Sequence, residues 1–232
     1  MSKQKLPEVN FEWMPQLAYA VGLLVTDGNL SKDGRHITMR SSERKLLNTF
    51  KKCLGLNNKI GFTKGQRGYR VQFGDVQFYR WLLKVGLFPT KTYTIGEIDV
   101  PDKFFRDYFR GCLDGDGNIH TYQDMYNVYR GRRYTTQRLF IRIVSASRKH
   151  IVWLQNKIKT LMGLNGAIIN APAADERRVP IWALQFAKNE SLRLIDWIYY
   201  KSDIPCLERK RNTAERAINI ISKQRRREYT RI

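Results

Sequence analysis

Cysteine and histidine are scarce in this 232-residue chain, with three of each. Cys53, Cys112 and Cys206 lie far apart, form no CxxC pair and are odd in number, which argues against a disulfide framework. They read as small buried hydrophobes in a reducing compartment. His36, His120 and His150 are equally scattered, so neither a zinc site nor a nuclease centre of clustered His and Asn has support. No apolar run reaches the length of a membrane span. The opening stretch MSKQKLPEVN lacks the apolar core of a signal peptide, so the expectation is an intracellular protein with no membrane partner. Bacterial or phage cytoplasm and an organelle both remain open. Acidic residues are also few, 21 against 42 Lys and Arg, for a net charge of +21.

An excess of positive charge this large on a chain this short points to a polyanionic partner, and nucleic acid fits best. At 42% apolar, the chain can still bury a sizeable core.

The chain also contains an internal duplication. AVGLLVTDGNL at 20–30 resembles FRGCLDGDGNI at 109–119; each has Gly, four residues, then Asp-Gly-Asn and an aliphatic. Asp27 and Asp116 are 89 positions apart. Arg44-Lys45 echoes Arg148-Lys149, Gly55-Leu56-Asn57 echoes Gly163-Leu164-Asn165, and Gln72-Phe73 echoes Gln185-Phe186. Trp81 and Pro89 echo Trp197 and Pro205. The matches keep their order while the offset only grows, as expected of a repeat whose second copy is longer. Most of the extra length falls in 120–136.

Each copy reads as αββαββα. Pro15 suits the first turn of a helix to about residue 26. A hairpin follows around Asp33-Gly34, with a strand near 35–40. Ser42 is the expected N-cap of a helix over 42–54. Strands near 59–64 and 68–74 flank a Gly65/Gly68 turn, and a helix covers 75–86. The second copy predicts helix 102–114, strands 117–122 and 137–145, helix 147–162, strands 166–171 and 180–187, and helix 189–201. The fold class is α+β with two pseudo-symmetric halves, residues 1–100 with the linker 87–101 and residues 101–232 with a basic tail. Divergence between the halves predicts a monomer that recognises an asymmetric site.

Two aspartates stand out. Phe105, Phe109, Cys112 and Asp116 share one stripe of a helix, and Arg106, Arg110 and Asp114 share the opposite one. Gln16, Ala20, Leu23 and Asp27 repeat the first stripe. A carboxylate ending a buried stripe suffers desolvation and faces the negative end of the helix dipole, and two together repel. A divalent cation would relieve all three; oxygen ligands without His or Cys suit Mg2+. Gly22 and Gly111, one turn earlier, would let two helices approach closely. A single Asp-Gly after a helix would be ordinary turn chemistry; two, each opening a repeat, favour a site. Gly28 and Gly117 are expected to supply left-handed backbone, and Asp114 to be a solvated helix residue.

These segments resemble the two motifs of monomeric LAGLIDADG homing endonucleases, with Gly22 and Gly111 as the motif glycines and Asp27-Gly28 and Asp116-Gly117 as the terminal pairs. The first motif departs from the pattern at Val25-Thr26; the second keeps Asp114. The resemblance covers roughly residues 14–211. It implies motif helices packed side by side, curved antiparallel sheets in the DNA major groove, and metal-assisted hydrolysis of both strands to leave 3′ overhangs. It implies metal ligation by Asp27, Asp116 and the carbonyls of Thr26 and Gly115. It also implies Lys91 and its counterpart Lys210 near the scissile phosphate. Where the family often has Gln, Arg40 and Ser145 stand here.

Strand alternation sets Arg70 and Gln72 opposite Val71 and Phe73, Arg138 and Arg142 opposite Leu139, Ile141 and Ile143, and Gln185 opposite Trp182, Leu184 and Phe186. Arg and Gln pair bidentately with guanine and adenine, so Arg40, Arg70, Gln72, Arg138, Arg142 and Gln185 are candidate contacts to double-stranded DNA; a plain solvated face is the alternative. Residues 120–136 read as an extended hairpin touching phosphates or as an exposed loop, and the tail after Pro205 as a frayed extension or a docked helix. An intron RNA maturase or a catalytically silent DNA-binding regulator on the same fold remains an alternative; an intein origin is disfavoured because no flanking splicing segment is visible.

Overall fold

The computed structural model describes residues 11–62, 68–129, 131–171 and 180–229. It opens on an almost wholly apolar helix, α1 (Pro15–Asp27), started by Pro15 and buried from Leu17 to Val25. A helix apolar on every side must be covered on every side. α1 is covered by α4 (Asp102–Asp116), its counterpart in the second half.

Each helix leads directly into a sheet. After α1 come β1 (Gly28–Leu30), β2 (His36–Ser41), α2 (Arg44–Leu54), β3 (Gly61–Phe62), β4 (Tyr69–Gly74) and α3 (Val76–Lys84). After α4 come β5 (Gly117–Tyr129), β6 (Arg132–Ser145), α5 (Arg148–Met162), β7 (Ala167–Ala171), β8 (Ile181–Phe186) and α6 (Lys188–Ile198). The sheets have matching orders, β1-β2-β4-β3 and β5-β6-β8-β7, with every pairing antiparallel. The αββαββα order thus occurs twice, and one continuous core spans both halves. A last helix, α7 (Glu208–Tyr229), has no α-helical counterpart among the described residues of the first half.

Local chemistry explains several boundaries and corrects some expectations. Ser42 does not cap α2: its N-cap is Glu43, and Ser41 Oγ accepts the Glu43 N–H at 3.1 Å. Ser145 Oγ does the same for Ser147 N–H, also at 3.1 Å, so the two halves share this turn. Gly28 and Gly117 are not left-handed; their φ values are −87° and −100°. They are glycine because a Cβ would collide with the helix turn before them: at Gly28 it would lie 2.5 Å from Leu24 O, and at Gly117 2.6 Å from Leu113 O. Each helix therefore turns into its strand without a spacer.

Residues 120–129 and 132–136 form the outer part of the β5–β6 hairpin, with a register break between Asp124 and Asn127. Gly65 of the expected first-half turn, and Arg130 here, lie outside the described residues. The tail docks: Ala214, Ala217 and Ile221 of α7 are buried, and Gln137 N–H donates to Gln224 Oε1 at 3.4 Å. The basic run 225–227 lies within α7. The linker is fastened to α5: Ser147 Oγ donates to Ile95 O at 2.5 Å and His150 Nδ1 meets Gly96 O at 2.7 Å. Among the described residues, no helix is long and apolar enough to cross a membrane.

Candidate active site and nucleic-acid interface

The approach of α1 to α4 begins at Gly22 and Gly111. A Cβ on Gly22 would lie 3.0 Å from Gly111 Cα and 2.9 Å from Cys112 N, and one on Gly111 would overlap Tyr19 O. Only glycine at both positions permits this crossing, as the repeated spacing suggested. One turn further, a Cβ on Gly115 would stand 2.7 Å from Asp27 Oδ2 and would overlap Thr26 Oγ1. The helix ends therefore meet, and Thr26-Asp27 and Gly115-Asp116 form one cluster. Thr26 turns its hydroxyl back to Leu23 O at 3.0 Å.

The carboxylates of this cluster are electrostatically unsatisfied. Asp27 is half-buried, and burial first, then the charge of Asp116, pushes its pKa up to about 6. Asp116 reaches solvent, yet the surrounding protein also raises its carboxyl pKa, opposed by Lys91 and Lys210. Both lysines are buried. Burial lowers both ammonium pKa values; the charges of Asp116 and Asp27 push Lys91 back up, and those of Asp114 and Asp27 do so for Lys210. Lys91 Nζ donates to Gly28 O at 2.8 Å. Lys210 Nζ donates to Leu113 O at 2.6 Å and Asp114 O at 2.8 Å. The two lysines thus bind the exits of the two motif helices at different carbonyls, Lys91 at the glycine after the acid and Lys210 at the second and third residues before it, and they follow Pro89 and Pro205 at different distances.

Asp114, expected to be a solvated helix residue, is instead buried. It, Arg110 of the same stripe and the neighbouring Asp107 are fully buried, at 2%, 0% and 1% exposure. Arg110 pairs with Asp107 at 2.7 Å and donates to Ile198 O and Pro205 O at 2.7 and 2.8 Å. Asp114 accepts from Tyr19 OH at 2.9 Å and from Leu207 N–H at 2.7 Å. This face is covered because the chain from α6 to α7 crosses it, and these bonds set the start of α7 and so the position of Lys210. The first half has Val25 where the second has Asp114.

The outer sheet faces carry the expected polar rows. In the first sheet Asn29, Thr38 and Gln72 are direct partners across three strands, and Arg40 stands opposite Arg70. Arg40, Arg70 and Gln72 are exposed. Two arginines side by side repel, and a polyanion lying across them would offset that. In the second sheet Asn118, Arg142 and Gln185 form the matching row. Asn29 and Asn118, which follow the Asp-Gly pairs, went unassigned although their repetition was visible in the sequence. Arg138 faces the same side but is held by Asp124 at 2.8 Å. Ser145 is half-buried, with its hydroxyl in the turn before α5.

No protein-family model matches the sequence, and no curated protein matches it. Solved structures do. The chain is similar to the I-LtrWI LAGLIDADG homing endonuclease bound to target DNA, at TM-score 0.59 and 12% identity over 91% of each chain. It is similar to the meganuclease I-SmaMI bound to uncleaveable DNA, at TM-score 0.61 and 12% identity over 95% of this chain and 92% of that one. Full-length DUF199/WhiA from Thermatoga maritima gives TM-score 0.53 and 14% identity over 94% of this chain and 69% of that one. The chain has the LAGLIDADG homing-endonuclease fold.

Proposed function

We propose that the chain is a monomeric site-specific endonuclease, a homing endonuclease that makes a metal-dependent break in both strands of a long asymmetric DNA target. The observation that carries this reading is the meeting of Asp27 and Asp116 at the ends of two glycine-packed helices, with a basic sheet face in each half. The +21 charge and the DNA-bound neighbours support a duplex partner. Residues 1–100 and 101–232 would each read one half-site.

The donor set suits Mg2+. Two carboxylates with raised pKa and a shared negative field would favour a bound hard cation. Among the described residues no group of three or more His, Cys, Asp or Glu gathers. Asp27, Asp116 and the carbonyls of Thr26 and Gly115 would therefore hold the ion together with water and phosphate oxygens. When bound, the ion supplies an activated water and stabilisation of the leaving oxygen. Lys91 and Lys210 would face the phosphate charge, and the two sheets would hold the duplex in register.

The test is single-turnover cleavage of a site selected from randomised duplexes. Asp27→Asn and Asp116→Asn should each abolish or cripple double-strand cleavage while DNA affinity stays within a few-fold, and chelation should do the same to the parent. Sequence-selective binding without cleavage under any divalent metal would overturn nuclease activity in favour of a DNA-binding regulator. Selective binding of intron RNA over duplex would favour a maturase.

A further inference from the structure

The outer face of the β5–β6 hairpin carries a carboxylate where a DNA-reading surface would least tolerate one. Asp124 lies on β5 one diagonal from Arg138: Tyr122 is the direct partner of Arg138, and Asp124 that of Thr136. Asp124 Oδ2 accepts from Arg138 Nε at 2.9 Å and from Nη2 at 2.8 Å. The Asp124 side chain is 16% exposed and that of Arg138 is 41% exposed. The acid is thus tucked against the sheet while the guanidinium stands out. Its flanks are aromatic: the Tyr122 and Phe140 rings stack at 6.4 Å, and His120 lies 5.3 Å from Tyr122.

We propose that Asp124 is a positioning residue that holds Arg138 to read a guanine in the half-site of the second sheet. This rests on the chain being a DNA-reading endonuclease. The guanidinium is a rigid planar fork with five N–H donors. Asp124 occupies the Nε–Nη2 edge, which leaves the end-on Nη1–Nη2 edge for a partner. Two parallel donors match the O6 and N7 acceptors of guanine. Adenine offers a donor beside N7, and thymine a methyl group beside O4, so neither accepts both bonds. A free arginine would lose rotamer entropy on binding; one already fixed by a carboxylate loses less. The carboxylate also repels DNA phosphates, so the contact restrains non-specific binding while favouring the one base that completes it.

The register places the reading position. Tyr122, opposite Arg138, lies six residues beyond Asp116. At ~3.3 Å per residue this is roughly 20 Å, or about six base pairs outward from the cleavage centre.

The test is the base-preference profile of the full chain on randomised duplexes, compared with Arg138→Ala, Asp124→Ala and Asp124→Asn. The parent should select guanine at one position about six pairs from the centre. Arg138→Ala should flatten that preference by roughly 10- to 100-fold and leave other positions unchanged. Asp124→Ala should weaken the same preference about 3- to 10-fold while non-specific affinity rises, because a negative charge is lost. Asp124→Asn, which keeps an acceptor, should fall between Asp124→Ala and the parent. A purely structural role in the hairpin would lower affinity evenly across all sequences, and that result overturns the proposal. So does an unchanged guanine preference in Asp124→Ala, or a preference other than guanine lost in Arg138→Ala. If the parent selects no duplex sequence, the endonuclease reading itself fails. Melting curves of all four proteins identify any variant that misfolds; the pair lies on an exposed hairpin outside the core.

Discussion

The carboxylate of Asp114 accepts the backbone N–H of Leu207 at 2.7 Å, across 93 residues of sequence. The same oxygen accepts Tyr19 OH from α1, so one buried group joins the two motif helices to the start of α7. Burial raises its pKa, opposed chiefly by Lys210. Asp114→Ala would strand a buried N–H and a buried hydroxyl at ~1–3 kcal/mol each. Melting temperature should fall by about 5–15 °C. An unchanged melting temperature would show that this junction does not hold the halves together.

Gly22 and Gly111 fix the crossing of α1 and α4. Gly111→Ala would press a methyl onto Tyr19 O and to 3.1 Å from Leu23 N, with backbone on both sides and no side chain to move away. Overpacking of this kind costs ~1–3 kcal/mol or more. It would also separate Asp27 from Asp116, so cleavage should fall further than stability alone explains. Gly163→Ala is the comparison: φ is +66° there but a Cβ meets nothing within 4 Å. It should cost about 1 kcal/mol of backbone strain and leave cleavage intact. Equal effects of the two substitutions on cleavage would contradict the tight crossing.

One buried and one half-buried group should give opposite pH limbs. Burial pushes His150 down from 6.5 to about 4. Above pH 6.5 it is neutral in both folded and unfolded chains. As pH falls from 6.5 towards 4, only the unfolded chain takes the proton, and stability drops by about 3 kcal/mol in total. Asp27 acts in reverse, being raised from 3.8 to about 6. Above pH 6 it is charged in both states, and the folded state bears a penalty of up to about 3 kcal/mol before solvent screening. As pH falls from 6 to 3.8 the folded chain is protonated first, and the penalty is relieved. In metal-free buffer Asp27→Asn should therefore melt above the parent at pH 8, and the gap should close near pH 4. The variant should also show a steeper loss of stability below pH 6.5. A gap independent of pH would rule out the raised carboxyl.

The duplication, both motif helices, Gly22, Gly111 and the Asp pair were legible because helical periodicity and repetition are local signals. Asp114 was misread as solvated, and the Arg110–Asp107 pair beside it was not foreseen, for an equally physical reason. A stripe of charges is exposed unless a distant segment covers it, and the covering segment, 199–207, is almost a hundred residues away. Gly28 and Gly117 were recognised as obligatory for the wrong cause, since φ cannot be told from steric crowding without coordinates. The Asp124–Arg138 contact needs the hairpin register, which alternation alone does not fix across an irregular strand pair.

Lys91 and Lys210 provide the last prediction. Each ammonium has three N–H donors; Lys210 gives two to Leu113 O and Asp114 O, and Lys91 gives one to Gly28 O. Each lysine thus has an N–H to spare for a phosphate oxygen beside the two acids. A fixed donor aimed at developing negative charge contributes more in a partly buried site than in water, typically ~10²–10³-fold in rate. Lys91→Met and Lys210→Met should each slow single-turnover cleavage by about that factor. Duplex affinity should fall modestly and evenly across sequences, with the salt slope falling by ~1. Lys210→Met should also melt lower than Lys91→Met, because two carbonyls at the end of α4 lose their donor. The slower-cut strand should differ between the two variants, since the lysines bind the exits of different motif helices. If both variants cut both strands at the parent rate, the lysines serve only to cap the helices.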